Sequence, residues 1–309
     1  MKVYSKQTGF SLLELILVIV LLGILASGAG LLITTPIKAY NDQLRRTQLV
    51  DMAEMSLRQI ARDIRTALPN SIRTNQNIAT GVTALEMVNI VAGARYRDEA
   101  DGPALVTAME SEERAEERDL RETDVLDFKK ADTDFNFLGT LVSGMTTIPT
   151  GQRLVIYSTA PTNFYATASS NNNAGIVTPA NSTLILSQDG DEQHLNITPA
   201  FQFTQEPPGQ RSFLIDGPIS YVCDPLKEAK MTRYTNYPFQ PNQPTTDDDF
   251  IGLSGLKQGD VATQLTACSM TYDAGTAQRN GVVTLSITLS DDTGEGVTLL
   301  HQVHVVNVP

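Results

Sequence analysis

From Phe10 to Ile33 the chain reads FSLLELILVIVLLGILASGAGLLI, an apolar run interrupted by a single charge, Glu14. At a rise of ~1.5 Å per residue a helix of that length reaches about 36 Å, enough to cross a bilayer core of ~30 Å. Beyond it the pattern becomes amphipathic. Val50, Ala53, Leu57, Ile60, Ala61, Ile64 and Leu68 recur every three or four residues and mark one apolar stripe. Charged residues fill the gaps, with Glu54 and Arg58 spaced to pair at i,i+4. Pro69-Asn70-Ser71 then stops the helix. The pattern predicts one helix over 10–68, apolar in its first half and laid on a globular part by its second. Gly28-Ala29-Gly30 and Pro36 weaken it, which predicts a kink near 28–36.

After Ser71 the texture changes to short runs rich in β-branched and aromatic residues, such as Arg153 to Tyr157, Thr183 to Leu186 and Phe213 to Ile215. The clearest pair closes the chain. Val282 to Leu289 and Val297 to Val306 flank a turn segment, and Val283, Leu285, Ile287 and Leu289 alternate with smaller or polar neighbours. That predicts an antiparallel hairpin packed on the helix, hence an α+β fold. Asn171 to Asn173 and Asn236 to Thr246 read as exposed loops. The stretch 108–123, AMESEERAEERDLRET, reads as a charged surface insertion.

Flanking charge sets the orientation of the apolar run. Lys2 and Lys6 precede it with no acidic residue, so the residues after Ile33 belong outside the cytoplasm. A secretory signal peptide shares this layout, but its apolar region normally spans ~7–15 residues. A plain membrane anchor has no use for Glu14, since a carboxylate inside the span costs ~2.5–3.5 kcal/mol on insertion scales.

Across 309 residues, 41% hydrophobic and 19% charged content describe a folded protein, and a formal charge of −12 argues against broad nucleic-acid binding. No catalytic motif of the zincin, nucleophile-elbow, P-loop or paired C-x-x-C kind is present, and no cofactor is implied. Three histidines exist, and His301 and His304 fall on opposite faces of a strand. The chain therefore reads as a non-enzyme. Asp189, Asp191, Asp247, Asp248 and Asp249 lie in oxygen-rich loops of a kind that can hold calcium. Neither loop has EF-hand spacing, so solvated acidic turns are the preferred reading and calcium the alternative.

Gly9-Phe10-Ser11-Leu12-Leu13-Glu14, followed by an uninterrupted apolar run, resembles the processing site of type IV prepilins and type II secretion pseudopilins. The resemblance implies a pilin-like fold, a leader of residues 1–9, cleavage between Gly9 and Phe10 by a prepilin peptidase, and methylation of Phe10. It also implies that Glu14 sets register in the filament by pairing with the amino terminus of a neighbouring subunit. The expected organisation is residues 1–9 leader, 10–68 helix with 10–33 transmembrane, and 69–309 a periplasmic β-rich domain. Pro36 to Tyr40, Asp51 to Ser71, Arg95 to Arg97, Cys268 to Tyr272, Arg279 to Gly281 and Leu300 to Asn307 extend the resemblance toward the O-type minor pilins of mannose-sensitive haemagglutinin (MSHA) pilus biogenesis and the J-type minor pseudopilins. By that resemblance the partners are major and minor pilins, the prepilin peptidase and an inner-membrane assembly platform. The role is to prime or cap a filament; the alternative is a minor pseudopilin of type II secretion. In a periplasmic domain Cys223 and Cys268 most simply form one disulfide, closing a loop of about 46 residues and contributing about 4 kcal/mol in the chain-entropy model. Two buried thiols is the reading for a reducing compartment.

Overall fold

In this computed structural model residues 9–97, 125–275 and 279–305 are described. The charged stretch 108–123 and Val306 lie outside them. One long helix, one short helix and two antiparallel-rich sheets organise the described residues. Helix α1 (Leu12–Arg65) is continuous through Pro36. It ends three residues short of the predicted Leu68. Thr66 caps it, and the chain passes directly into pairing: the Leu68 N–H donates to the Val88 carbonyl (2.8 Å) and the Ile90 N–H to the Thr66 carbonyl (2.9 Å). Leu68 precedes a proline, which disfavours helical backbone.

The larger sheet has the strand order β10-β9-β8-β2-β3-β7-β5, with β1 beside β2, β4 beside β8 and β6 beside β7. The strands are β1 (Arg73–Gln76), β2 (Thr83–Tyr96), β3 (Asp132–Leu138), β4 (Arg153–Ile156), β5 (Ala174–Gly175), β6 (Thr183–Asp189), β7 (Glu192–Phe203), β8 (Arg211–Asp224), β9 (Lys230–Thr235) and β10 (Lys257–Thr263). The second sheet is β11 (Leu265–Asp273), β12 (Gly281–Ser290) and β13 (Gly296–Val305), in that order. Its β12–β13 hairpin is the one the alternation predicted. Val283, Leu285, Ile287 and Leu289 are all buried, and Leu289 lies opposite Val297.

The apolar stripe of α1 is buried between the two sheets. Leu49, Ala53, Leu57, Ile60, Ala61 and Ile64 share one core with Leu85 and Met87 of β2, Tyr221 and Cys223 of β8, and the inward residues of β12 and β13. Val50 is only partly buried, and Leu49 takes the place expected for it. Each buried Leu or Ile contributes about 1.5–3 kcal/mol. The Cys223–Cys268 disulfide joins β8 to β11, so it stitches one sheet to the other across this core.

A second core, built on Phe135, Phe137, Phe201 and Phe203, lies under β3, β6 and β7. The short helix α2 (Pro161–Ala168) closes a third with Phe164, Tyr165 and Leu68. Arg153 is buried beneath it, donating to the Ala168 carbonyl at the helix C-terminus and to the Thr178 carbonyl. Burial lowers its pKa to about 10, and the negative end of α2 offsets the charge.

The opposite face of β2 carries a buried carboxylate. Glu86 is fully inaccessible, accepting from Arg73 Nε (2.5 Å) and the Tyr237 hydroxyl (2.8 Å). Arg73 also donates to the carbonyls of Pro241 and Gln240 (2.8 and 2.9 Å) and stacks over the Tyr165 ring. The segment 236–246, predicted to be an exposed loop, is thereby strapped across the sheet, with Tyr237 and Pro244 buried. Burial pushes the Glu86 carboxyl above the ordinary carboxylate range, against the pull of Arg73 and Tyr237. A folded-state pKa above the unfolded one means the native state holds the proton longer. Stability therefore falls as pH rises from about 4.5 through the folded value. Denaturant titrations of the chain and of Glu86→Gln across pH 4 to 8 should show the difference in unfolding free energy moving against the parent as pH rises, and flat below the unfolded carboxylate pKa. A pH-independent difference would mean that Glu86 does not titrate in this window.

Candidate functional site

Gly9 and Phe10 form an open, exposed segment ahead of α1. Nothing lies within contact of a side chain placed at Gly9, and Phe10 is 84% exposed. Ser11 caps the helix: its backbone is extended (φ −73°, ψ 141°), and its side-chain oxygen accepts the Leu13 N–H at 3.2 Å. Glu14 occupies the first turn, where a carboxylate suits the helix dipole. The residues singled out for processing therefore lie together: an accessible Gly9–Phe10 bond, a capped start and an acidic residue one turn in.

The described apolar side chains from Leu12 to Leu25, including Leu13, Ile16, Ile19 and Leu22, are exposed, and the packed part of the helix begins at Leu49. Among the described residues no helix is long and apolar enough to cross a membrane. The stretch whose side chains are described, 12–28, reaches about 25 Å, short of the ~30 Å core. In sequence Leu31, Leu32 and Ile33 continue the apolar run.

Three polar contacts fasten the second half of the helix. Near its emergence, Arg45 and Arg46 face the β12–β13 turn, with Arg45 Nε 3.2 Å from Asp291 and Arg46 3.4 Å from Glu295. The Arg45 contact is an ion pair without hydrogen-bond alignment. The Thr293 hydroxyl, then the backbone amides of Glu295 and Thr293 and the Arg45 charge, hold the Asp291 carboxyl below its usual range. Midway, the Ser56 hydroxyl donates to the Val261 carbonyl at 2.7 Å and ties α1 to β10. At the far end the Asp63 carboxylate accepts from the Tyr221 hydroxyl (2.6 Å) and Arg233 Nε (2.8 Å), joining α1 to β8 and β9. Burial, with Asp63 alongside, pushes the Tyr221 phenol well above its ordinary value. None of these three was singled out from the sequence. Their one trace is position, since Ser56 and Asp63 border the apolar stripe.

In the Asp247–Asp249 loop each carboxylate is directed at a group of the protein. Asp247 accepts from the Tyr234 hydroxyl (2.8 Å), Asp248 lies 3.7 Å from the Lys227 ammonium, and Asp249 accepts the amides of Thr245 and Thr246. Asp249 and Thr246 form a capping box on a single 3-10 turn. Among the described residues no group of three or more His, Cys, Asp or Glu side chains is placed to hold a metal, and the side chain of Asp189 is not among those described. His301 and His304 sit opposite Leu285 and Val282, on alternate faces of β13.

The Asp63 contact generates a test. Asp63→Ala leaves the Tyr221 hydroxyl and Arg233 without their shared acceptor, so unfolding free energy should drop by about 1–3 kcal/mol. Hydrogen exchange of the amides from Ile60 to Arg65 should rise with it, whereas Arg58→Ala, which removes only an exposed pair with Glu54, should shift both by much less.

Residues 4–30 match a family model described as the prokaryotic N-terminal methylation motif. No characterised protein and no solved structure matches the chain. The motif covers Gly9, Phe10 and Glu14 together with the exposed apolar run. The chain thus carries a type IV pilin-like signal on a long helix joined to a large antiparallel-rich sheet, which supports a place in the pilin and pseudopilin family.

Proposed function

We propose that this chain is a minor type IV pilin of the MSHA type, cleaved between Gly9 and Phe10, methylated on Phe10, and held in the inner membrane by α1 before it enters a filament. The observation that carries the reading is the coincidence of the methylation motif with an accessible Gly9–Phe10 bond and a bare apolar helix. Exposed apolar surface of that extent needs a lipid or protein partner. A bilayer and a bundle of like helices both supply one. The globular part is large for such a subunit, with several separate cores behind the helix, and its bulk suits a subunit that begins or caps a filament better than one repeated along the shaft. No catalytic role is assigned.

In the filament Glu14 pairs with the methylated amine of a neighbouring subunit. A carboxylate moved into an apolar helix bundle requires an opposite charge, and one lone polar pair sets axial register as it does in a coiled-coil seam.

Intact mass and N-terminal sequencing of the chain from cells with and without prepilin peptidase test the reading. The expected mature form begins with N-methyl-Phe10 and disappears in the peptidase mutant, and Glu14→Ala is processed normally but enters filaments at least tenfold less often. Loss of pili on deletion of the gene, with exoprotein secretion intact, supports the MSHA-type role; the reverse assigns the chain to type II secretion. A mature form starting at Met1, or one cut at the small residues Ala26-Ser27-Gly28 as a secretory signal peptide would be, overturns the pilin reading.

A further inference from the structure

The larger sheet ends in the antiparallel pair β9–β10, and a hollow of about 250 Å³ lies between that end and α1. Arg233 and Thr235 of β9, Lys257 and Gly259 of β10 and Gln59 of α1 line it. Residues opposite one another on paired strands share a face of the sheet. Lys257 lies opposite Thr235 and Gly259 opposite Arg233, and Arg233 reaches Asp63 of α1, so all four look toward the helix. The space itself comes from a missing side chain. Gly259 sits inside a strand with its backbone outside the left-handed region, and nothing lies within 4 Å of a Cβ placed on it. Glycine weakens a strand interior, and it often marks the point where a ligand approaches closely.

The groups around the hollow are donors without acceptors. Arg233 uses Nε on Asp63, at 2.8 Å. Its two outer nitrogens, the Lys257 ammonium, the Thr235 hydroxyl and the Gln59 amide make no hydrogen bond among the described residues. Asp260 borders the hollow, but its carboxylate is directed elsewhere, 3.4 Å from the Thr232 hydroxyl and 3.7 Å from the Lys230 ammonium. Arg62, one turn beyond Gln59 on α1, is exposed and forms no ion pair among the described residues. Positive charge thus gathers here on a chain whose formal charge is −12. On the other flank of Arg233 a hollow of about 240 Å³ is lined by Asp63 and Asp216 and disfavours an anion.

We propose that the hollow between Gln59 and the β9–β10 pair binds a phosphate group, with the outer nitrogens of Arg233 and the Lys257 ammonium on its oxygens and Thr235 and Gln59 completing the shell. A carboxylate presents two oxygens in one plane, which the Arg233 fork alone would satisfy. Donors from three elements, two of them charged, suit a tetrahedral anion with more oxygens and up to two charges. Pockets for drug-sized ligands span ~300–1,000 Å³, so this smaller space holds the phosphate group and leaves the rest of any larger ligand outside.

Isothermal titration calorimetry of inorganic phosphate into the full chain, held in a nonionic detergent, tests this. Binding should saturate at one site and weaken as sodium chloride rises from about 20 to about 200 mM. Lys257→Gln should weaken it about tenfold, and acetate should bind the parent at least about tenfold less tightly than phosphate. Gly259→Val fills the space without removing a charge and should abolish binding. Lys227→Gln, which removes an exposed lysine 3.7 Å from Asp248, should change it less than about twofold. All three variants should keep the parent melting temperature. Glycerol 3-phosphate bound as tightly as inorganic phosphate assigns the site to a phosphate carried by a larger molecule, and a clear preference for inorganic phosphate assigns it to the free ion. No saturable binding, full binding by Gly259→Val, an equal loss in Lys227→Gln, or acetate bound as well as phosphate overturns the proposal.

Discussion

Helix α1 packs against the globular part from Leu49 to Ile64, with Arg45 and Arg46 reaching the β12–β13 turn just ahead of it, and everything that protrudes beyond depends on that grip. Its apolar stripe supplies the free energy, and three polar contacts set its place: Arg45 and Arg46 at the β12–β13 turn, Ser56 on β10, and Asp63 between Tyr221 and Arg233. Hydrophobic burial is non-directional, so a stripe alone would permit the helix to slide or rotate on the sheets. Hydrogen bonds at two levels along the axis prevent both.

The same core explains the disulfide. Two sheets face one helix, and no strand is shared between them. Cys223 and Cys268 provide a covalent link across that division, where separation of the sheets would expose Ile60, Ile64 and their partners to water. A link of this kind acts mainly by restricting the unfolded chain, so it adds stability without constraining the helix directly. The N-terminal half of α1 lies outside this core, and its described apolar side chains are exposed.

Much of this was legible in the residues. The helix and its buried face follow from spacing, because Ala53, Leu57, Ile60, Ala61 and Ile64 can share one side only at a period near 3.6. The closing hairpin follows from strict alternation, and the Cys223–Cys268 pair from compartment and number. What spacing could not show was pairing between distant segments. Glu86 sits in a run of apolar residues and gives no hint of Arg73 or Tyr237, and the strap at 236–246 looks like loop because its Asn, Pro and Gln content is that of loops. The oxygen-rich aspartates were open to two readings for a related reason. Asp249 caps a turn and Asp247 binds a tyrosine, and composition does not distinguish a carboxylate used by the protein from one offered to a cation. The methylation motif over residues 4–30 was legible because it is a local pattern that needs no tertiary contact.

The central claim is that one continuous helix serves two surroundings, apolar up to about residue 33 and protein-bound from Leu49. Single cysteines placed one at a time from Leu15 to Arg65 in the full chain, with the native disulfide oxidised, can be exposed in intact spheroplasts to a membrane-impermeant thiol reagent. The account predicts no labelling from 15 to 33, full labelling from 38 to 48 except near Arg45, and then a period of three to four residues with protection at 53, 57, 60 and 64. Uniform labelling through 15–33 would contradict it, because the apolar half would then lie in water.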